Sequence, residues 1–261
     1  MTAAKVMTFT GGLGAQLISA AGYFHCQRQG VPVRAHLGYF AGEARLAPVG
    51  QPGAVSHWAW ALDDYGLTFD RFEQPEGPVD PAQVVFDGLE KIELGFAGLR
   101  DEAVRAWFPI DPASREALRG IVPSGRWAAV HVRRGDYLNV ATYLIDDEAY
   151  FRAVLAVRRL VDHIVVISDT EIGAGLTARL QRLPASDRVT VVTGGTARLA
   201  HDLMRLSDIL IASNSQLSYT AGALRASDQL TLFPSRHDGG PDSDTNRWLG
   251  GLGAFQLPTR L

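Results

Sequence analysis

The chain has 261 residues, 46% of them hydrophobic and 20% charged, with a formal net charge of −3. That is enough chain for one large or two modest globular domains, and it excludes a general binder of nucleic acid or anionic membrane, since those carry a basic face. With that net charge any phosphate contact is local, and the single cysteine, Cys26, excludes an intrachain disulfide and a cysteine-rich zinc site.

Val6 to Thr10 reads as a short apolar strand. Gly11-Gly12-Leu13-Gly14-Ala15-Gln16 follows, then a helical stretch to about Gln29 in which Leu17, Ala20, Ala21 and Phe24 recur at helical spacing. Strand, glycine turn and helix aim backbone N–H groups at an anion, although glycines at such a junction equally serve tight packing. The string is neither Gly-x-Gly-x-x-Gly nor a Walker loop, since no Gly-Lys-Ser/Thr occurs. Val31 to Leu37 predicts a second strand and Gln83 to Phe86 a further one, with short helices near Asp101–Trp107 and Pro112–Arg119. Between Gly38 and Val79 the periodicity is broken; His57, Trp58 and Trp60 read as core or surface residues before sugar-stacking ones. His36 reads as an ordinary histidine.

Ile110 to Ser124 contains Asp111-Pro112 and Pro123-Ser124-Gly125, which places a hinge there and predicts domains at 1–122 and 123–261. Beyond it strand and helix alternate. Ala128 onward predicts a strand of period two; Asp147–Val161, Glu171–Leu183, Thr196–Leu206 and Leu217–Ala226 predict helices. His163–Ile167, Val189–Thr193, Ile209–Ala212 and Gln229–Phe233 predict strands. Such alternation predicts a parallel sheet whose ligands sit at the carboxyl ends of the strands. The tail from Ser235 to Asp244 reads as a loop, with Trp248 and Phe255 anchoring the last segment.

The carboxyl ends collect His131 and Arg133, then Ser168-Asp169-Thr170-Glu171, Thr193-Gly194-Gly195 and Ser213-Asn214-Ser215-Gln216. Taken singly, Ser168 or Thr196 is an ordinary helix N-cap. Meeting beside two arginines, these hydroxyls, amides and carboxylates read as a nucleotide site. His131, Arg133 and Arg134 at the tip of an apolar strand call for an anion, because an unpaired guanidinium is costly to bury. Gly135 permits a sharp turn, and Asp136 is placed to orient the arginines.

His-Val-Arg-Arg-Gly-Asp-Tyr, residues 131–137, resembles the signature of the α-1,2-fucosyltransferases and, more loosely, of the α-1,6- and protein O-fucosyltransferases. Gly-Gly-Leu-Gly-Ala-Gln resembles their opening motif, with Ala15 where the family has asparagine. Ile167-Ser168-Asp169 and the block from Asp202 to Ser215 resemble two further elements, whereas Ser218-Tyr219-Thr220-Ala221 departs from the family's Ser-Trp-Trp-Gly. The resemblance implies an α/β protein of the GT-B type, two Rossmann-like domains facing a cleft, the first serving the acceptor and the second the nucleotide sugar. It implies inverting transfer of fucose from GDP-fucose to a glycan or glycolipid, with Arg133 on the β-phosphate, His131 and Asp136 beside it, and no cofactor or metal. Strand ends and resemblance together give Gly12, Gly14, Gln16, Arg134, Asp169, Ser213, Asn214, Ser215 and Gln216 as donor-binding residues, and the resemblance alone implies Asp202, accepting from the guanine edge. Asp169 and Glu171 are candidate bases by position alone.

With no spanning stretch and no secretory signal at the N-terminus, the expected location is cytoplasmic, a peripheral contact with the inner face of the membrane being left open. Two alternatives stay open: a GT-B enzyme using another nucleotide sugar, and a nucleotide-binding protein without transfer activity.

Overall fold

Lys5–Thr8 forms β1, the middle of a three-stranded parallel sheet of order β2-β1-β3, with Val33–His36 as β2 and Val85–Phe86 as β3. The computed structural model describes residues 4–40, 59–72, 85–86, 88–122, 124–139, 144–183, 188–226 and 228–234. The chain divides into two compact units, Met1–Pro109 and Ile110–Leu261, and this sheet belongs to the first. His57, Trp58, Trp248, Phe255 and the expected loop from Ser235 to Asp244 lie outside the described residues.

Helix α1 (Leu13–Arg28) leaves the glycine turn with Gly12 as its N-cap. Gly11 sits at φ +74°, where a side chain is strained, and a Cβ added there would lie 3.1 Å from Ala15 Cβ. The predicted apolar stripe of α1 is one part of a wider burial, because Leu17, Ala20 and Ala21 have no exposed surface and Gln16, Ser19 and Gly22 are buried as well. The helix that completes this packing is α2 (Gly88–Arg100), which the sequence reading missed. Gly95 and Gly98 weaken its helix signal, since glycine is a poor helix former. In the structure they are contact surfaces. A Cβ on Gly98 would stand 2.1 Å from the carbonyl oxygen of Ala21, and one on Gly95 2.5 Å from that of Ile18, so the two helix backbones meet where any side chain would part them. A short α3 (Glu102–Arg105) follows, capped by the Asp101 carboxylate, which accepts from Ala103 N at 3.0 Å. Trp60 packs edge-on against Phe9 and Phe69 at centroid distances of 5.7 and 5.8 Å, so this tryptophan belongs to an aromatic cluster of the first unit.

The second unit opens with α4 (Pro112–Ile121), begun by Asp111 as N-cap and Pro112 in the first turn. Its sheet is wholly parallel. Trp127–Val132 is β4, His163–Ser168 β5, Val189–Thr193 β6, Ile209–Ile211 β7 and Leu230–Leu232 β8, in the order β6-β5-β4-β7-β8. The connecting helices are α5 (Asp147–Val157), α6 (Ala174–Gln181), α7 (Ala197–Leu206) and α8 (Gln216–Ala223). The order in which successive strands are added reverses between β4 and β7, the position at which doubly wound sheets open a crevice for ligands. All six residues of β4 are buried, so its period of two separates two covered faces rather than an inside from an outside. Ala128, Val130 and Val132 pack with Tyr150, Val154 and Val157 of α5, while α7 also contacts β4. The helix predicted from Glu171 begins instead at Ala174, leaving 169–173 as a loop at the end of β5.

Gly98→Ala is expected to lower the stability of the protein by about 1–3 kcal/mol, the usual cost of overpacking, measured by urea unfolding. Gly120→Ala in α4, where a Cβ meets nothing within 4 Å, is expected to be neutral or stabilising by up to about 1 kcal/mol.

Candidate functional site

β4, β5 and β7 end side by side, at Val132, Ser168 and Ile211. The next residue after β4 is Arg133, whose side chain is 13% exposed. Its Nη2 lies 2.5 Å from Asp136 Oδ1 and its Nη1 2.9 Å from Asp169 Oδ2, and its guanidinium stands 5.2 Å from the centre of the Tyr137 ring. The other oxygen of Asp169 accepts from the backbone N–H of Arg134 at 3.1 Å, so one carboxylate from the β5 loop holds both the side chain and the main chain at the β4 tip. Gly135, at φ +30°, makes this possible: a Cβ there would be 2.2 Å from Asp169 Oδ2. Gly135 N–H in turn donates to Thr170 Oγ1 at 3.4 Å. Arg133 Nε is buried and has no acceptor among the described residues.

Arg134 is engaged elsewhere. Its Nη2 lies 2.6 Å from Asp147 Oδ1, its Nη1 donates to the Ile145 carbonyl at 3.0 Å, and its guanidinium sits 5.5 Å from the centre of the Tyr150 ring. Asp136 therefore orients one arginine rather than two. Asp147, read from the sequence as a helix start, orients the other; the N-cap itself is Asp146, which accepts from Ala149 N at 2.6 Å.

His131 points from β4 to the loop after β7. Its Nδ1 shares a hydrogen bond of 3.0 Å with Ser213 Oγ, and Ser213 Oγ is also 3.0 Å from Ser218 Oγ and accepts from Ser215 N at 3.2 Å. Burial, then the charge of Arg133 and the nearby His201, push the His131 imidazole down to about 3. It is consequently a neutral hydrogen-bonding group at physiological pH and not a cation. Ser215 caps α8 by accepting from Leu217 N at 3.1 Å; Asn214 and Ser215 are nearly buried and Gln216 half-buried.

The other expected donor-binding residues have contacts of their own. Asp202 has no exposed surface; its Oδ2 accepts from Arg198 Nε at 2.9 Å and from Asp111 N at 3.0 Å, holding α7 to the start of α4. Burial works against its charge, but His201, Arg198 and the Asp111 N–H outweigh it and hold the carboxyl down at about 2. Gly12, Gly14 and Gln16 lie at the end of β1 in the first unit, where the Gln16 amide donates to the Gly11 and Ala59 carbonyls at 2.9 and 2.8 Å and accepts from Ala61 N at 2.9 Å. The structure thus brings together His131, Arg133, Arg134, Asp136, Asp169, Ser213, Asn214, Ser215 and Gln216 at one sheet edge. It adds Asp147 and Ser218, which the sequence reading gave no role in the site. For Asp147 a signal existed: a second arginine at the strand tip requires its own carboxylate. Among the described residues no group of three or more His, Cys, Asp or Glu side chains converges as a metal site would require, and no helix is long and apolar enough to cross a membrane.

Two parallel sheets with connecting helices define an α/β fold, and its neighbours among solved structures are glycosyltransferases of the GT-B type. No family model matches the chain, and no curated protein matches it. Solved structures do. The E. coli ADP-heptose LPS heptosyltransferase II is similar over 97% of this chain and 90% of its own, at 10% identity and a TM-score of 0.50. POFUT1 in complex with GDP-fucose is similar over 87% of this chain and 96% of its own, at 9% identity and a TM-score of 0.48. The NodZ α-1,6-fucosyltransferase soaked with GDP-fucose is similar over 85% and 93%, at 15% identity and a TM-score of 0.43. At such identities the likeness is one of fold alone.

Two of the buried histidines, His131 and His201, fix a pH dependence. Burial pushes His201 down to about 4, as it pushes His131 down to about 3, from an ordinary value of 6.5. Below 6.5 the unfolded chain takes up protons that the folded one refuses, so stability falls as pH falls, first through that window and then, between 3.8 and about 2, through Asp202 as well. The thermal unfolding midpoint is expected to decline from pH 6.5 towards 4, and His201→Gln is expected to flatten that decline, as read by calorimetry at a series of pH values.

Proposed function

We propose that the protein transfers fucose from GDP-fucose to a hydroxyl of a glycan or glycolipid, with inversion and in the α-1,2 sense, using Arg133 to receive the leaving diphosphate. The observation that carries this reading is the buried Arg133 Nε without an acceptor, at the strand reversal of a sheet of the GT-B type. A charged N–H left unsatisfied in the interior costs free energy, and a ligand oxygen offsets it. Negative charge grows on the diphosphate as the bond to the sugar breaks. A guanidinium already fixed by Asp136 and Asp169 meets that charge without reorganising, so it stabilises the transition state more than the ground state. Neutral His131, held by Ser213, offers a hydrogen bond without adding a second positive charge. The resemblance of residues 131–137 to the fucosyltransferase signature supports fucose as the sugar, and no step in this scheme calls for a metal. Glu171, exposed at the same edge, is a candidate base, whereas Asp169 is already engaged with Arg133.

A second reading, transfer from another nucleotide sugar, is favoured by one observation. Asp202 is fully buried in the contact between α7 and α4, so the carboxylate expected to read guanine is turned inward. The E. coli enzyme of similar fold is named for ADP-heptose.

Arg133→Ala is expected to lower turnover about a hundredfold, roughly 3 kcal/mol of barrier. Arg133→Lys should not restore it, because a point charge cannot serve two carboxylates and a phosphate together. Calorimetry with GDP, ADP and UDP separates the readings. Preference for GDP supports the first, preference for ADP or UDP the second, and failure to bind any nucleoside diphosphate overturns both.

A further inference from the structure

The sheet of the second unit has another edge. At its amino side, between the end of α5 and the starts of β5 and β6, lies a cavity of about 180 Å³. Arg158 and Arg159 reach it from the residues after α5 and Arg188 from the residue before β6; Asp162, His163 and Leu183 complete the lining that matters here. None of the three guanidinium groups has a hydrogen bond or ion pair to a described residue. This sets them apart from Arg133, Arg134, Arg179 and Arg198, each of which is matched by a carboxylate within 2.9 Å. Asp162 is the one carboxylate of the lining among the described residues, and its Oδ2 already accepts from Arg126 N at 2.9 Å. The His163 ring is tied to Thr190 Oγ1 at 2.8 Å and leaves the cavity a fixed wall.

Among the described residues, three cations against one anion around a single cavity, in a chain whose net charge is −3, is a local excess that repels itself. Guanidinium forks match the oxygens of a phosphate in shape as well as charge. We infer that this cavity binds a phosphate-class anion, either a soluble phosphate or phosphate ester, or the headgroup of an anionic phospholipid. The lipid source has a structural companion: Leu160, between Arg159 and Val161, is 51% exposed, and an apolar side chain beside basic ones is the pattern of a surface that rests on a bilayer. The inference does not rest on the sugar-transfer reading, which concerns the opposite edge of the sheet.

Inorganic phosphate titrated into the full chain is expected to shift the backbone amide resonances of 158–164 and 188–190. Arg158→Gln with Arg188→Gln is expected to weaken that binding by at least about tenfold per arginine, the worth of one charge-assisted hydrogen bond, while GDP affinity and the unfolding midpoint stay at the parent values. Flotation with phosphatidylcholine vesicles, with and without phosphatidylglycerol, separates the sources. Binding only to the anionic vesicles, lost in the double variant and reduced by Leu160→Ser, supports the headgroup; phosphate binding without vesicle binding supports a soluble phosphate. Equal phosphate affinity in parent and double variant, or shifts confined to the Arg133 edge, overturns the inference.

Discussion

A cation at the tip of a buried strand has to find its counter-charge on a neighbouring segment, and Asp169 meets that demand for β4. One of its oxygens takes the Arg133 guanidinium and the other the Arg134 N–H, so the end of β4 and the loop after β5 become one rigid piece. Gly135 is the residue that lets the carboxylate come so near. With that junction closed, Arg133 has its Nη groups committed and its Nε without an acceptor among the described residues, and the hydroxyls that follow β7 are drawn in through His131. The pairing is costly to set up and strongly destabilising to break by halves, as buried ion pairs are; here it fixes an orientation.

The sequence was most legible where the chain is most repetitive. Apolar runs separated by Asp146, Thr196 and Ser215 announced the strands and helix starts of the second unit, because each of these side chains caps the helix that follows it. The string around Arg133 was legible for the same reason: its residues are neighbours along the chain and in space. Helix α2 was hidden because glycine propensity and glycine packing point in opposite directions, and only the presence of α1 decides between them. The neutrality of His131 was hidden as well, since it depends on burial and on Ser213, 82 positions along the chain. Asp202 shows the converse. A motif placed it in the site, whereas Arg198 and the Asp111 N–H, which no motif mentions, place it in the core.

The same sheet treats its arginines differently at its two ends. Along the carboxyl edge every guanidinium near the strand tips has a carboxylate against it, as Arg133 has Asp136 and Asp169 and Arg134 has Asp147. Along the amino edge Arg158, Arg159 and Arg188 line a cavity with one carboxylate between them among the described residues. A paired guanidinium is positioned for geometry, and an unpaired one for attraction over distance.

In the first unit, the seam between α1 and α2 is set by atoms that are missing. With hydrogen in place of a side chain at positions 95 and 98, the backbones of two helices touch. Helix α1 starts directly at the Gly11-Gly12 turn that ends β1. A methyl group inserted at the seam would act as a wedge on a lever, and the far arm of that lever is the turn itself. Sequence drift more than eighty positions away in the chain can therefore reshape the loop at β1 without altering a single residue in it.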